Sequence, residues 1–358
     1  MNMMPQGSDV VIGWDLGGIH VKAARIVAGR VEAVVQAPCL LWRGPVALDE
    51  ALATLPAWTR DEALHAVTMT GELADFFNNR AEGVSALVDW AKAHLIGSVA
   101  IYGGRSSFLP PEAAPAHVAD IASANWHATA AFVGRTVDEA LLVDIGSTTT
   151  DIIPIVAGQP AAAGYTDAER LGTGELVYTG LVRTPLVALA SQVPFGGRPI
   201  SLMAEYFATT ADVYRLLGRL PEEADQQEAA DGKGKSLTET RVRLARTVGH
   251  DAAEASEKAW RDLAAHFAEL QLRRIHDAAT QVLSGQLLPE DAPVVACGVG
   301  LGIVEALAAR LNRPCRNLAD LVAADEQTRG WASSCAPAVA VGLLASPAEL
   351  NRSLSNRA

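Results

Sequence analysis

One internal duplication constrains this chain more than any other feature. Residues 15–27, DLGGIHVKAARIV, can be laid without a gap on residues 144–156, DIGSTTTDIIPIV. The aspartate, the first glycine, an isoleucine and a valine coincide, and most other apolar positions stay apolar. Each copy reads as strand, tight turn, strand. In the second copy Leu141–Val143 and Ile145 bury the incoming strand, Gly146 turns the backbone, and Ser147, Thr148, Thr149 and Thr150 line the turn with hydroxyls. Asp144 stands at the strand end, where a carboxylate can hold a hydrated Mg²⁺, and turn amides can face the anion that such a metal brings. A single repeat at so long a period predicts two similar lobes rather than a solenoid. Two such turns facing each other would clamp one phosphate chain. Glycine-turned hairpins are common, but a pair matched at the aspartate favours the phosphate clamp.

The chain has 358 residues, enough for two domains, and 49% hydrophobic residues, enough for sizeable cores. Its formal charge of −12 argues against nonspecific nucleic-acid binding. Cys39, Cys297, Cys315 and Cys335 are scattered, with no CxxC pair, so neither a disulfide framework nor a zinc site is expected. The first ten residues lack a basic, apolar leader, and no apolar run reaches the roughly 18 residues of a membrane span. These features predict a cytoplasmic protein with no nucleic-acid or membrane partner.

Along the chain, strands are expected over 10–14, 21–27, 31–36, 66–70, 99–102 and 294–296. Helices are expected over 72–80, 85–94, 116–132, 201–206, 210–217, 257–285, 303–311 and 338–344. Residues 49–55 and 60–63 read as loop and short helix, and 166–186 as a loop rich in Gly, Thr and charge. Residues 221–239 are the most polar stretch: either a solvated, mobile insert, or a lid bringing Asp231, Lys233 and Lys235 over a second substrate.

The motif order, DLGG early, DIGSTTTD mid-chain, ACGVG late and a small-residue helix last, resembles the actin/Hsp70/sugar-kinase superfamily. That resemblance implies an α/β fold with two RNase H-like lobes around a phosphate-binding cleft. The first lobe would cover 8–137, completed by a C-terminal helix near 336–347; the second would cover 138–335. It further implies that Asp15 and Asp144 hold metal or its waters. Gly17, Gly18, Gly146, Ser147, Thr148 and Thr149 would hold phosphate, and the Gly298–Gly300 turn would lie on adenosine or phosphate.

Five runs narrow the match: VTMTGELAD (67–75), SANW (123–126), DIGSTTTDIIPI, YTDAERLGTGELVYTGLVRTPL (165–186), and RLAR followed by VGHD (243–251). Together they are similar to the hydantoinase/oxoprolinase-like proteins tied to methanopterin-linked one-carbon transfer. The resemblance implies a Mg²⁺-dependent transferase of methanofuran or methylofuran biosynthesis. It would join 5-(aminomethyl)-3-furanmethanol diphosphate to γ-glutamyltyramine, or a related tyramine or tyrosine phenol, and release pyrophosphate.

On that chemistry the remaining candidates find roles. Lys22 pairs with a phosphate oxygen, or is a solvated residue on an alternating strand. Asp151, its counterpart in the repeat, accepts a proton from the phenol or a water, or is likewise solvated. His20 donates to the diphosphate or caps the turn. Arg183 suits the glutamyl carboxylate, Glu175 and Glu72 the aminomethyl cation, and Tyr165 and Tyr178 the rings, unless those tyrosines are core. His127 is a weaker candidate with a structural alternative. Two other functions stay open: an ATP-dependent kinase or amide hydrolase on this fold, and a noncatalytic nucleotide sensor. A homo-oligomer is compatible with either.

Overall fold

The computed structural model describes residues 10–346, so residues 8–9 and 347 of the expected first lobe lie outside the described residues. The chain forms two compact units. Of the described residues, one comprises 10–140, 155–161 and 316–346, the other 141–154 and 162–315. The C-terminal stretch therefore joins the first unit from residue 316, some way before the helix expected to complete it.

The first unit is built on a six-stranded sheet of β1 (Val10–Leu16), β2 (His20–Val27), β3 (Arg30–Pro38), β4 (Ala63–Met69), β5 (Gly97–Tyr102) and β6 (Phe108–Leu109), in the order β3-β2-β1-β4-β5-β6. β1, β2 and β3 pair antiparallel as a meander, and β4 and β5 run parallel to β1. The second unit carries most of β7 (Ala140–Ile145) and β8 (Thr150–Val156), with β9 (Gln159–Pro160) counted in the first, then β10 (Leu176–Val177), the separate hairpin β11 (Gln192–Phe195) and β12 (Arg198–Ser201), β13 (Val294–Cys297) and the start of β14 (Cys315–Asn317). Its main sheet runs β10-β8-β7-β13-β14. Counted by position, both sheets place a third strand, second, first, fourth and fifth in line. β13 is parallel to β7 as β4 is to β1. The duplication seen in thirteen residues thus extends over whole sheets, and each unit has the α/β organisation expected of an RNase H-like lobe in the actin/Hsp70/sugar-kinase fold.

Alternation sets the two faces of β1. Ile12, Trp14 and Leu16 enter a core with Leu48, Leu87 and Val88 from the helices Val46–Thr54 and Arg80–His94. The opposite face, with Gly13 and Asp15, lies toward the C-terminal helix Ala336–Ala345. All ten residues of that helix are buried, as an element apolar on every side must be. Gly13 is obligatory here, because a Cβ would stand 2.0 Å from the Ala338 carbonyl oxygen.

Several expected elements differ. The helix placed as loop over 49–55 begins at Val46. Residues 74–79 are not helical; Asn79 accepts the Glu82 amide and starts the next helix at Arg80. The helix expected over 116–132 is broken at Ser123, whose φ is +53°, into Val118–Ile121 and Asn125–Gly134. Residues 202–206 are irregular, and Ser201 ends β12. The supposed loop 166–186 holds a helix, Asp167–Thr173, with a Thr166/Glu169 capping box and Gly174 in the left-handed conformation at its end.

The polar insert 221–239 is anchored. Arg243, fully buried, donates to Asp212 (2.9 Å), Asp231 (3.1 Å) and the Gly234 carbonyl (2.9 Å). Lys235 donates to the Asp225 carbonyl at 2.8 Å. Asp231 and Lys235 are thus engaged within the unit, the first by the arginine of the RLAR run and the second by Asp225.

Candidate functional site

The turns of the two repeats close in the same way. Gly17 donates its amide to the carbonyl of His20 at 3.0 Å, and Gly146 to that of Thr149 at 2.9 Å, three residues on in each case. The segment after the fourth strand closes on the same carbonyl in both: Thr70 donates to Leu16 at 3.1 Å and Gly300 to Ile145 at 2.9 Å, and Leu16 and Ile145 are aligned in the repeat. Both aspartates are buried at strand ends, Asp15 4% and Asp144 8% exposed. The carboxyl ends of parallel strands are where open α/β sheets bind ligands.

In the first unit, Asp15 faces Lys22 across β1 and β2, with Nζ 3.7 Å from Oδ2. Thr68 and Gln36 extend the same cross-strand row. Gly17 is required, since a Cβ would lie 2.7 Å from the His20 carbonyl oxygen, whereas one on Gly18 would meet only Gly71 Cα at 3.9 Å. His20 opens β2 and is itself buried. Glu72 sits in the 3₁₀ turn after β4, 1% exposed, and accepts a 2.7 Å hydrogen bond from Ser123. Four residues beyond that serine, His127 Nδ1 lies 2.9 Å from the Tyr102 hydroxyl. Ser123 and Tyr102 were not among the residues expected at the site; the SANW run carried the only signal for the first.

Burial, assisted by the Arg105 cation, pushes the His127 imidazole down to about 4. The unfolded chain takes up this proton near pH 6.5. Folded stability is therefore fully present above about pH 6.5 and is lost as pH falls toward the folded value. In His127→Gln the slope of the urea midpoint against pH between these values should be shallower than in the wild type.

In the second unit the turn residues 146–149 are all partly exposed. Ser147 and Thr148 hydroxyls lie 3.4 Å apart, and Arg183 donates to Thr148 Oγ1 at 3.3 Å. Asp144 borders the late glycine turn: Gly298 has φ +82°, and a Cβ on it would stand 2.4 Å from Asp144 Oδ1. The glycine is what lets this turn pack so closely against the Asp144 carboxylate. Asp151 is not disposed as a base. Its carboxylate takes the guanidinium of Arg170, itself 1% exposed. Burial pushes the Asp151 carboxyl up, and Arg170 pulls it partly back. Glu175 is likewise engaged internally, accepting from the Ala163 and Gly164 amides at 2.6 and 2.8 Å and from Thr173 Oγ1 at 2.7 Å. Tyr165 is 7% exposed, a core residue, while Tyr178 is 61% exposed.

Among the described residues no group of three or more His, Cys, Asp or Glu could hold a metal, and no helix is long and apolar enough to cross a membrane.

The hydantoinase/oxoprolinase family profile matches residues 63–320. A protein of Methanocaldococcus jannaschii is 34% identical over 243 residues, 68% of this chain and 72% of that one. It is named (4-{4-[2-(γ-L-glutamylamino)ethyl]phenoxymethyl}furan-2-yl)methanamine synthase. A protein of Methanococcus vannielii with the same name is 31% identical over 228 residues, 63% of this chain and 100% of its own. Among solved structures, component A of (R)-2-hydroxyglutaryl-CoA dehydratase from Acidaminococcus fermentans aligns over 95% of this chain and 99% of its own, with 9% identity and a TM-score of 0.46.

Proposed function

The chain belongs to the hydantoinase/oxoprolinase family, and within it we propose a transferase that condenses 5-(aminomethyl)-3-furanmethanol diphosphate with γ-glutamyltyramine or a related tyramine or tyrosine phenol, releasing pyrophosphate. The name of the two relatives describes a phenoxymethyl furan bearing an aminomethyl group, which is the ether this condensation would make. The observation that carries the proposal in this chain is the duplicated aspartate–glycine turn, closed alike in both units and suited to phosphate oxygens.

In the reaction the phenol oxygen forms a bond to the furan methylene carbon. The bond from that carbon to the diphosphate oxygen breaks, its electron pair leaving with the diphosphate, and the phenol proton passes to water or to the departing diphosphate. The furan ring stabilises charge on the methylene, so catalysis consists of holding the diphosphate, balancing its charge and placing the phenol. The Ser147, Thr148 and Thr149 hydroxyls would take phosphate oxygens. Arg183, which donates to Thr148 Oγ1, would take a phosphate oxygen or the glutamyl carboxylate, its fork suiting either. Lys22 would supply the positive charge in the first unit, and the exposed Tyr178 a ring for stacking.

Mg²⁺ fits this donor set in one form. A cage of protein ligands is not offered among the described residues, but an ion that keeps its waters and rests on one or two carboxylates and the substrate's phosphates needs none. Asp144, at the end of its strand beside the late glycine turn, is the first choice and Asp15 the second. When bound, the ion would neutralise the leaving diphosphate.

The test is to incubate the protein with both substrates and Mg²⁺ and to follow pyrophosphate and ether together. Equal amounts of both, formed without ATP, are expected. Absence of ether with every phenol offered, or product only when ATP is consumed, would overturn the proposal.

A further inference from the structure

The long helix Glu257–Leu283 buries a stripe of Trp260, Leu263, Ala264, Phe267, Gln271, Ile275 and Ala279. One member is polar: Gln271 is 0% exposed. A primary amide in an apolar stripe is costly unless every group on it is bonded. Here every group is. Nε2 donates to Thr179 Oγ1 and to the Gly180 carbonyl, both at 2.8 Å, and Oε1 accepts from the Tyr214 hydroxyl at 2.8 Å. The opposite amide orientation would set one carbonyl oxygen against another, so the geometry fixes which end is which.

What Gln271 holds is the backing of the second-unit turn. Gly180 lies so close to that turn that a Cβ would stand 2.5 Å from Ser147 C and Thr148 N. The next three amides all donate into the turn: Leu181 to Gly146 O (3.0 Å), Val182 and Arg183 to Ser147 O (3.1 and 2.9 Å). Thr210 Oγ1 also donates to the Gly180 carbonyl, at 2.9 Å. Residues 179–183 therefore form a bracket, fixed behind by Gln271 and Thr210 and bonded in front to residues 146–147.

We infer that Gln271 is a positioning residue for the phosphate-binding turn: through the Gly180 carbonyl it sets the placement of residues 146–149, and with it the affinity for a diphosphate. The inference rests on the proposed function only in taking that turn to bind phosphate. Gln271→Met keeps volume and removes both donors. Tyr214→Phe removes a hydroxyl at the far end of the same amide and leaves both donors in place. The two variants thus separate support of the bracket from general packing.

Calorimetric titration of the full chain with pyrophosphate in Mg²⁺ buffer, beside thermal melts, reads the result. Binding about tenfold weaker in Gln271→Met and within about twofold of wild type in Tyr214→Phe is expected, one buried hydrogen-bonding group being at stake. Faster amide exchange confined to 146–149 and 179–183 should accompany it. Wild-type affinity in a folded Gln271→Met, or equal weakening in both variants, would overturn the inference. Should Gln271→Met fail to fold, Thr210→Val decides: a weakening of about threefold supports the bracket, and none refutes it. A wild-type chain that binds no pyrophosphate refutes the phosphate-binding turn itself, a distinguishable failure.

Discussion

Asp144→Asn is expected to lower kcat/KM for ether formation by roughly 100- to 1,000-fold, the several kcal/mol of charge stabilisation that a metal supplies at a phosphate. The carboxylate lies near the end of β7 with only 8% exposure, and the left-handed glycine at 298 packs closely beside Oδ1. Asparagine preserves volume and one oxygen but gives up the charge a hydrated cation needs. Folding should change little, by about 1 kcal/mol or less, because asparagine keeps the size and one oxygen of the aspartate. Rates of pyrophosphate release against diphosphate concentration, with thermal melts alongside, measure both quantities. A rate within about threefold of wild type would remove Asp144 from the reaction.

The largest effect on stability is expected at Arg170. Arg170→Met leaves the Asp151 carboxylate buried and unpaired, which costs about 3–5 kcal/mol. Burial already pushes this carboxyl up against the pull of Arg170, and without the guanidinium only the upward push remains. A group raised in the folded state is most favourable to folding below its unfolded value, about 3.9 for Asp, and loses that contribution as pH rises through its folded value. The deficit of Arg170→Met should therefore be largest at neutral pH and shrink in acid. Arg170→Met with Asp151→Asn should recover most of it, as neutral groups replace a buried pair. Urea unfolding across this pH range measures the effect, and a deficit under about 1 kcal/mol at pH 7 would contradict the assignment.

These two aspartates show what a sequence can and cannot reveal. The placement of Asp144 near a strand end, before a glycine turn, was legible because it depends on local pattern: strand, aspartate, glycine, hydroxyls, and a second copy at 15–18. Asp151 was misjudged because its partner lies nineteen residues on, inside a stretch whose polar composition reads as loop. That stretch folds as a capped helix and a short strand, and it uses Glu175 and Arg170 for its own backbone and ion pair. Gln271 escaped for a related reason. A lone amide in an apolar periodicity looks like a lapse in the pattern until the groups it meets, about ninety residues away, are known. The polar insert reads from composition as solvated, yet two of its charges are tied down, Asp231 by Arg243 and Lys235 by Asp225. The presence of two similar α/β units, by contrast, was legible in the duplication, because each copy needs its own sheet to bury its apolar strand.

The most direct test of the account uses a phenolic substrate carrying ¹⁸O in its hydroxyl, with the furan diphosphate and no nucleotide. Mass spectrometry should find the label in the ether and unlabelled pyrophosphate released intact. Label in the phosphate products, or ether formed only with nucleotide consumption, would contradict displacement of diphosphate by the phenol oxygen.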